Sequence, residues 1–338
     1  MTGQVEAVDY HTAGEPFRIV TAGLPELPGA SVAERRAALL GPGGSATAPR
    51  PSAADDVRRL LTREPRGHAG MYGGFPVPPD DDGAHLGVLF WHKDGYSTAC
   101  GHGTIALGAW AVDTGLVPAP GDGTADVRID VPSGRVTATV HRRAGRTTAV
   151  TFRNVPAFVT GRAAPVATPY GEVAVDLAHA GACYASVRAA DLGLSVTVDR
   201  LAELTDAGRR IRAALAGHPA ARHPVDDRLS GVYGVVLYDD LPDTAQGPVQ
   251  RNVTVFADGQ IDRSPCGSGT SARLALLADE GRTGELRHLS VIGTVFTGRV
   301  VGEQDGGLVT EVTGTAHRTG EHRFVLDPAD QLGTGFLL

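Results

Sequence analysis

A chain of 338 residues is long enough for two domains and a substantial core, and its 42% hydrophobic and 20% charged content is ordinary for a globular protein. A net charge of −7 argues against a nucleic-acid surface, and no apolar run approaches the ~18 residues of a membrane span. Three cysteines make no disulfide framework, and Met1–Glu6 lack the basic-then-apolar layout of a secretory leader, so a cytoplasmic setting is expected.

The first predicted strands are Gln4–Tyr10 and Phe17–Ala22, rich in β-branched and aromatic residues. Ser31–Leu40 reads as a helix with a cap-like Ser31 and Glu34 three residues on, and Ala53–Leu61 as a second helix. Leu86–His92 is an apolar run expected to be a buried strand. Just after it stands Lys93, the only lysine, and a pyridoxal-phosphate enzyme would have to use it for its Schiff base. Among polar neighbours, Lys93 is expected to be a solvated surface charge instead.

Next comes Cys100-Gly101-His102-Gly103-Thr104, then Gly101–Val112 with good helix formers, closed by Gly115. Asp126–Val131, Arg135–His141 and Thr147–Arg153 alternate between Gly and Pro breaks, as an antiparallel meander does. Pro156–Pro169 is the expected crossing between two halves, and Cys183 reads as a small buried hydrophobe. Arg200–Leu215 is an amphipathic helix with arginines outward. Strands Val232–Tyr238 and Val249–Phe256 precede Cys266-Gly267-Ser268-Gly269-Thr270, whose helix Gly267–Ala278 is closed by Gly281. His288–Asp327 is again strand-like.

The two cysteine phrases are therefore copies, each preceded by strands and followed by a helix with a glycine stop at the same offset. The pattern implies a duplicated architecture with one thiol from each half. At a helix N-terminus unpaired N–H groups and the dipole favour negative charge, which lowers a thiol pKa. The same amides hold a substrate carboxylate, and the glycines let it approach the backbone. Two facing thiols suit inversion of a carbon beside a carboxylate: one takes the α-proton, the other delivers a proton to the opposite face. Zinc ligation is disfavoured, because single cysteines this far apart lack the short ligand spacing of such sites. A Cys–His–Asp nucleophile would leave the second phrase unexplained.

At these residues the sequence resembles the proline racemase superfamily of proline racemases, 4-hydroxyproline 2-epimerases and trans-3-hydroxy-L-proline dehydratases. The resemblance runs through His11-Thr12-Ala13-Gly14-Glu15-Pro16, Gly67-His68-Ala69-Gly70-Met71-Tyr72-Gly73, both cysteine phrases and Asp262-Arg263-Ser264-Pro265-Cys266. It implies an α/β (α+β) fold of two pseudo-symmetric domains, each a mostly antiparallel sheet wrapped around a central helix, as in diaminopimelate epimerase. The domains are expected at 1–160 and 161–321, with 322–338 returning to the first and the active site between them.

The resemblance also implies cofactor-independent chemistry on a small imino-acid substrate; no metal is expected, and the sequence is compatible with a homodimer. Carried over by position, Cys100 and Cys266 match the acid/base pair. Gly101, His102, Gly267 and Ser268 match the loops around the substrate carboxylate and imino group. Asp262 matches a contact to the ring nitrogen, and Tyr72 and Phe256 match pocket aromatics. His11 and His68 are expected to be structural hydrogen-bonding residues, and Arg263 a loop anchor.

The subfamily signals conflict. Glu64-Pro65-Arg66-Gly67-His68, Gly95-Tyr96-Ser97-Thr98 and Gly115-Leu116-Val117-Pro118 look most like the dehydratase branch, whose members carry threonine where this chain has Cys266. Ala99 also departs from the methionine usual before the first cysteine. Elimination can dispense with a second thiol, whereas inversion needs it, so 4-hydroxyproline 2-epimerase is the expected activity. Proline racemase and 3-hydroxyproline dehydratase are the alternatives, and a non-catalytic imino-acid binder is the reading from another class.

Overall fold

The computed structural model describes residues 4–41, 49–169 and 171–338. Met1–Gly3, part of the segment read for a leader, lie outside the described residues. The chain divides into two compact units, Met1–Val150 with Thr315–Leu338, and Thr151–Gly314.

The first unit begins with strands β1 (Gln4–Thr12) and β2 (Glu15–Ala22), then helices α1 (Val32–Leu40) and α2 (Ala53–Thr62). Strands β3 (Tyr72–Val77), β4 (Leu86–His92) and β5 (Gly95–Tyr96) lead to α3 (Gly101–Asp113). Strands β6 (Gly123–Val131) and β7 (Gly134–Arg143) pair antiparallel, and β8 (Arg146–Arg153) carries the chain onward. In the second unit come β9 (Phe158–Thr168), β10 (Gly171–His179), β11 (Cys183–Arg188), α4 (Leu201–Ala214), β12 (Val232–Thr244) and β13 (Gly247–Phe256). There follow β14 (Gln260–Asp262), α5 (Gly267–Asp279), β15 (Leu286–Ser290), β16 (Val295–Gln304) and β17 (Gly307–Gly314). The last strand, β18 (Ala316–Val325), returns to the first unit and pairs antiparallel with β1.

Both units have the same strand logic. In the first, β1–β2 is antiparallel, β2–β3 parallel, β3–β4 antiparallel, β4–β6 parallel and β6–β7 antiparallel. In the second, β10–β11, β11–β12, β12–β13, β13–β15 and β15–β16 repeat that series. The cysteine helix occupies the same place in each, as the crossover between the last parallel pair.

Helices α3 and α5 are buried almost all round, as core helices are. Thr114 and Glu280 close them, and Gly115 (φ +75°) and Gly281 (φ +73°) take the left-handed turn that a Cβ would resist. The opposite sheet faces are covered by amphipathic helices. Val57, Leu60 and Leu61 of α2 belong to a core with Phe75, Leu89 and Trp91, while Leu204 and Ile211 of α4 join Val235, Leu237, Val253 and Val255. Strand alternation then turns Val236, Asn252 and Thr254 toward the α5 face.

Two local expectations change. Lys93 is not a solvated charge: its side chain is 12% exposed and its Nζ lies 2.8 Å from Asp94 Oδ2. The stretch Pro156–Pro169 carries strand β9, paired with β10. Its helix-breaking composition is absorbed by register shifts at Val175/Leu177/Ala178 and by Ala163 at φ +46°.

Candidate active site

Cys100 is the N-cap of α3, with extended backbone (φ −157°), and its Sγ accepts the Gly103 N–H at 3.2 Å. The His102 ring nitrogens lie 3.4 and 3.6 Å from that sulfur. His102 is buried, and its carbonyl accepts the Thr12 hydroxyl at 2.9 Å. Tyr72 stands edge-on to the imidazole with centroids 4.8 Å apart, and Phe17 does so at 5.8 Å. The Tyr72 hydroxyl is 2.6 Å from Ser97 Oγ. Gly103 is indispensable here, since a Cβ would come within 2.4 Å of the Phe17 ring and 2.9 Å of Cys100 Sγ.

Cys266 is the N-cap of α5, yet its backbone differs: φ is +64°, a left-handed value that costs a Cβ-bearing residue roughly 1–2 kcal/mol. The preceding loop holds it there. The Cys266 N–H donates to Ser264 Oγ (3.1 Å), and Asp262 Oδ1 accepts both the Ser264 hydroxyl (2.7 Å) and its N–H (2.8 Å). Beside the sulfur, 3.9 Å away, is the Tyr184 hydroxyl. Tyr184 meets Tyr233 at 5.7 Å, and Tyr233 stacks on Phe256 at 5.6 Å. Ser268, 1% exposed in the first turn of α5, has a hydroxyl with no partner among the described residues. A buried unsatisfied donor at a helix start is an opening for an anionic ligand.

The electrostatics of Cys266 run against the sequence expectation of a lowered thiol pKa. Burial pushes this thiol well above its ordinary value, and the Asp262 carboxylate adds to the rise. The Gly269 N–H, Thr254 and Tyr184 oppose it without winning. Desolvation of a thiolate outweighs the helix N-terminus when the group is fully enclosed.

Each unit thus gathers its own set. Cys100, Gly101, His102 and Tyr72 come together around the start of α3, and Cys266, Gly267, Ser268, Asp262 and Phe256 around the start of α5. Cys183 lies apart in a hydrophobic core, its thiol pushed up to about 12 by burial. His11 Nδ1 accepts the Gly14 N–H and His68 Nδ1 the Gly70 N–H, and Arg263 donates to the Ile261 carbonyl. Tyr184, Tyr233, Ser97 and Thr12 were not picked out from sequence. Tyr184 adjoins a cysteine read as structural, and strand alternation, which points neighbours to opposite faces, was the signal available. Among the described residues no group of three or more His, Cys, Asp or Glu could hold a metal, and no helix is long and apolar enough to cross a membrane.

A family model described as proline racemase matches residues 7–337. Trans-3-hydroxy-L-proline dehydratase of Homo sapiens is 42% identical over 350 residues, covering 100% of this chain and 95% of that protein. The protein of that name from Bacillus cereus is 40% identical over 338 residues, covering 98% and 97%. Among solved structures, a hydroxyproline epimerase from Agrobacterium vitis with bound trans-4-hydroxy-L-proline superposes with a TM-score of 0.90. It is 28% identical, over 99% of this chain and 96% of that one.

Proposed function

The chain belongs to the proline racemase family, and on that premise we propose that it inverts the Cα of a proline-type imino acid with Cys100 and Cys266 as the acid/base pair. The observation that carries this reading is the second thiol, held in a left-handed backbone by a dedicated loop and kept protonated by its burial. In one direction Cys100, whose Sγ already accepts a backbone N–H, takes the α-proton, and Cys266 delivers its own to the opposite face. The reverse direction exchanges the roles. The first-turn N–H groups of α3 and α5, with the Ser268 hydroxyl, receive the substrate carboxylate and stabilise the enediolate-like charge that grows on it. Asp262 receives the ring nitrogen, which is cationic at neutral pH.

We take 4-hydroxyproline as the substrate, because the Tyr72–Ser97 hydroxyl pair beside His102 is a ready partner for a ring hydroxyl. A second reading is favoured by the dehydratase names of the 40–42% identical relatives. There Cys100 would take the α-proton of trans-3-hydroxy-L-proline, and the protonated Cys266 would give its proton to the departing 3-hydroxyl as water.

Proton NMR in D2O separates the two. Offered trans-4-hydroxy-L-proline, L-proline and trans-3-hydroxy-L-proline in turn, the protein is expected to yield the Cα-deuterated inverted isomer of the first. Conversion of the 3-hydroxy compound alone, to a pyrroline, would replace inversion by dehydration. A protein that binds these compounds but exchanges no Cα proton would be a binder only.

A further inference from the structure

Two hydrogen-bond relays end on the peptide groups of Cys266, and the second runs through residues with no role so far. Upstream, the N–H is held through Ser264 by Asp262. Downstream, the Cys266 carbonyl accepts the Thr270 N–H at 2.7 Å and the Thr270 hydroxyl at 2.8 Å. A threonine hydroxyl has one proton. With it committed to that carbonyl, the oxygen offers only lone pairs to His288 Nδ1, 2.8 Å away. His288 must then be the donor, as the neutral Nδ1–H tautomer.

Its surroundings favour the same state. His288, on β15, is wholly buried, and its Nε2 has no partner among the described residues. The equally buried Arg273 guanidinium bears on this ring, and burial together with that charge takes the imidazole down to about 3. A cation nearby also favours a bare lone pair at Nε2 over an N–H. The Thr270 hydroxyl proton is therefore directed to the Cys266 carbonyl, with the Pro265 carbonyl a longer second acceptor at 3.3 Å.

The first unit shows what this arrangement adds. There Thr104 repeats the threonine contact, 2.8 Å to the Cys100 carbonyl, but no imidazole backs it among the described residues, and Cys100 has an unstrained φ. Fixing both peptide planes that flank a residue fixes its φ and ψ, hence the direction of its Cβ. We propose that His288 is a positioning residue for the second thiol, acting through Thr270 to hold Cys266 in the left-handed backbone that aims its sulfur. Its kinetic consequence rests on the proposed inversion, while its structural consequence does not.

The test uses His288→Leu, His288→Asn and Thr270→Val in the full chain. Asparagine is included because its amide N–H falls close to the imidazole Nδ1–H. In substrate-free protein, iodoacetamide alkylation is mapped at each cysteine by mass spectrometry. The Leu and Val variants are expected to raise the Cys266/Cys100 alkylation ratio at least fivefold, as the enclosed thiol swings free, and Asn to restore it. With substrate in D2O, the same two variants are expected to lose at least tenfold in kcat for inversion with KM within threefold. An unchanged alkylation ratio in both variants overturns the proposal, as does an Asn variant that behaves like Leu. Equal acceleration at both thiols also overturns it, being loss of fold rather than of aim. If the wild-type protein never inverts any substrate, the proposed function fails and the alkylation ratios decide this inference alone.

Discussion

Gly269→Ala sets two effects of opposite sign against each other at the second thiol. Alanine is the better helix former by about 1 kcal/mol, which stabilises α5. The new Cβ, however, would stand 3.0 Å from Cys266 Sγ, 3.2 Å from Cys266 Cβ and 3.5 Å from Val236 Cγ2. Sulfur and carbon rest several tenths of an ångström further apart than that, so the sulfur or the helix must shift, at an overpacking cost of roughly 1–3 kcal/mol. Stability should fall by no more than about 2 kcal/mol, because the two terms partly cancel. Catalysis has no such compensation. A displaced sulfur misses its proton-transfer geometry, and misplacement by about 1 Å costs on the order of 100-fold. Urea unfolding measures the first quantity and the rate of inversion measures the second. A variant that folds normally and inverts within threefold of wild type would refute the claim that the Gly269 surface sets the position of Cys266 Sγ. Gly103→Ala should be worse in both respects, since its Cβ meets the Phe17 ring at 2.4 Å.

Ser264→Ala strands a buried N–H and removes a hydroxyl donor from Asp262, so a stability loss of about 2–4 kcal/mol is expected by urea titration, and a loss below about 0.5 would contradict the brace. Tyr184→Phe removes a hydroxyl that eases ionisation of Cys266, so the pH–rate limb belonging to this thiol should move to higher pH; no movement would separate Tyr184 from the reaction. His179 is held neutral, down to about 4, by burial and by His223, so its contribution to stability is fully present above pH 6.5 and is lost as pH falls toward 4. His179→Phe should flatten the urea midpoint over that interval, and an unchanged acid slope would exclude the pair as its source.

The sequence made the repeated helix starts legible because cysteine, glycine spacing and a glycine stop recur at matched offsets, and both α3 and α5 begin where that pattern places them. Ser31 caps α1 as its local sequence indicates, and Ser52, which the sequence reading did not single out, caps α2 in the same way. What could not be read depends on long-range packing. The matched phrases alone do not separate Cys100 from Cys266, yet one is extended and the other left-handed, and the Asp262–Ser264 brace before the second has no counterpart among the described residues before the first. The thiol pKa of Cys266 follows the same rule: a helix start is visible in sequence, but the enclosure that overrides it is not. Pro165 and Gly161 make the β9 segment read as a crossing between halves, and only pairing with β10 makes it a strand.

The measurement that most directly tests a two-thiol inversion is the isotopic content at Cα early in the reaction of protiated trans-4-hydroxy-L-proline in D2O. Two bases on opposite faces should give inverted product that is deuterated from the first turnover while unreacted substrate keeps its protium. Protium carried into the inverted product would mean that one group removes and returns the same proton, and Cys266 would lose its role as the second acid.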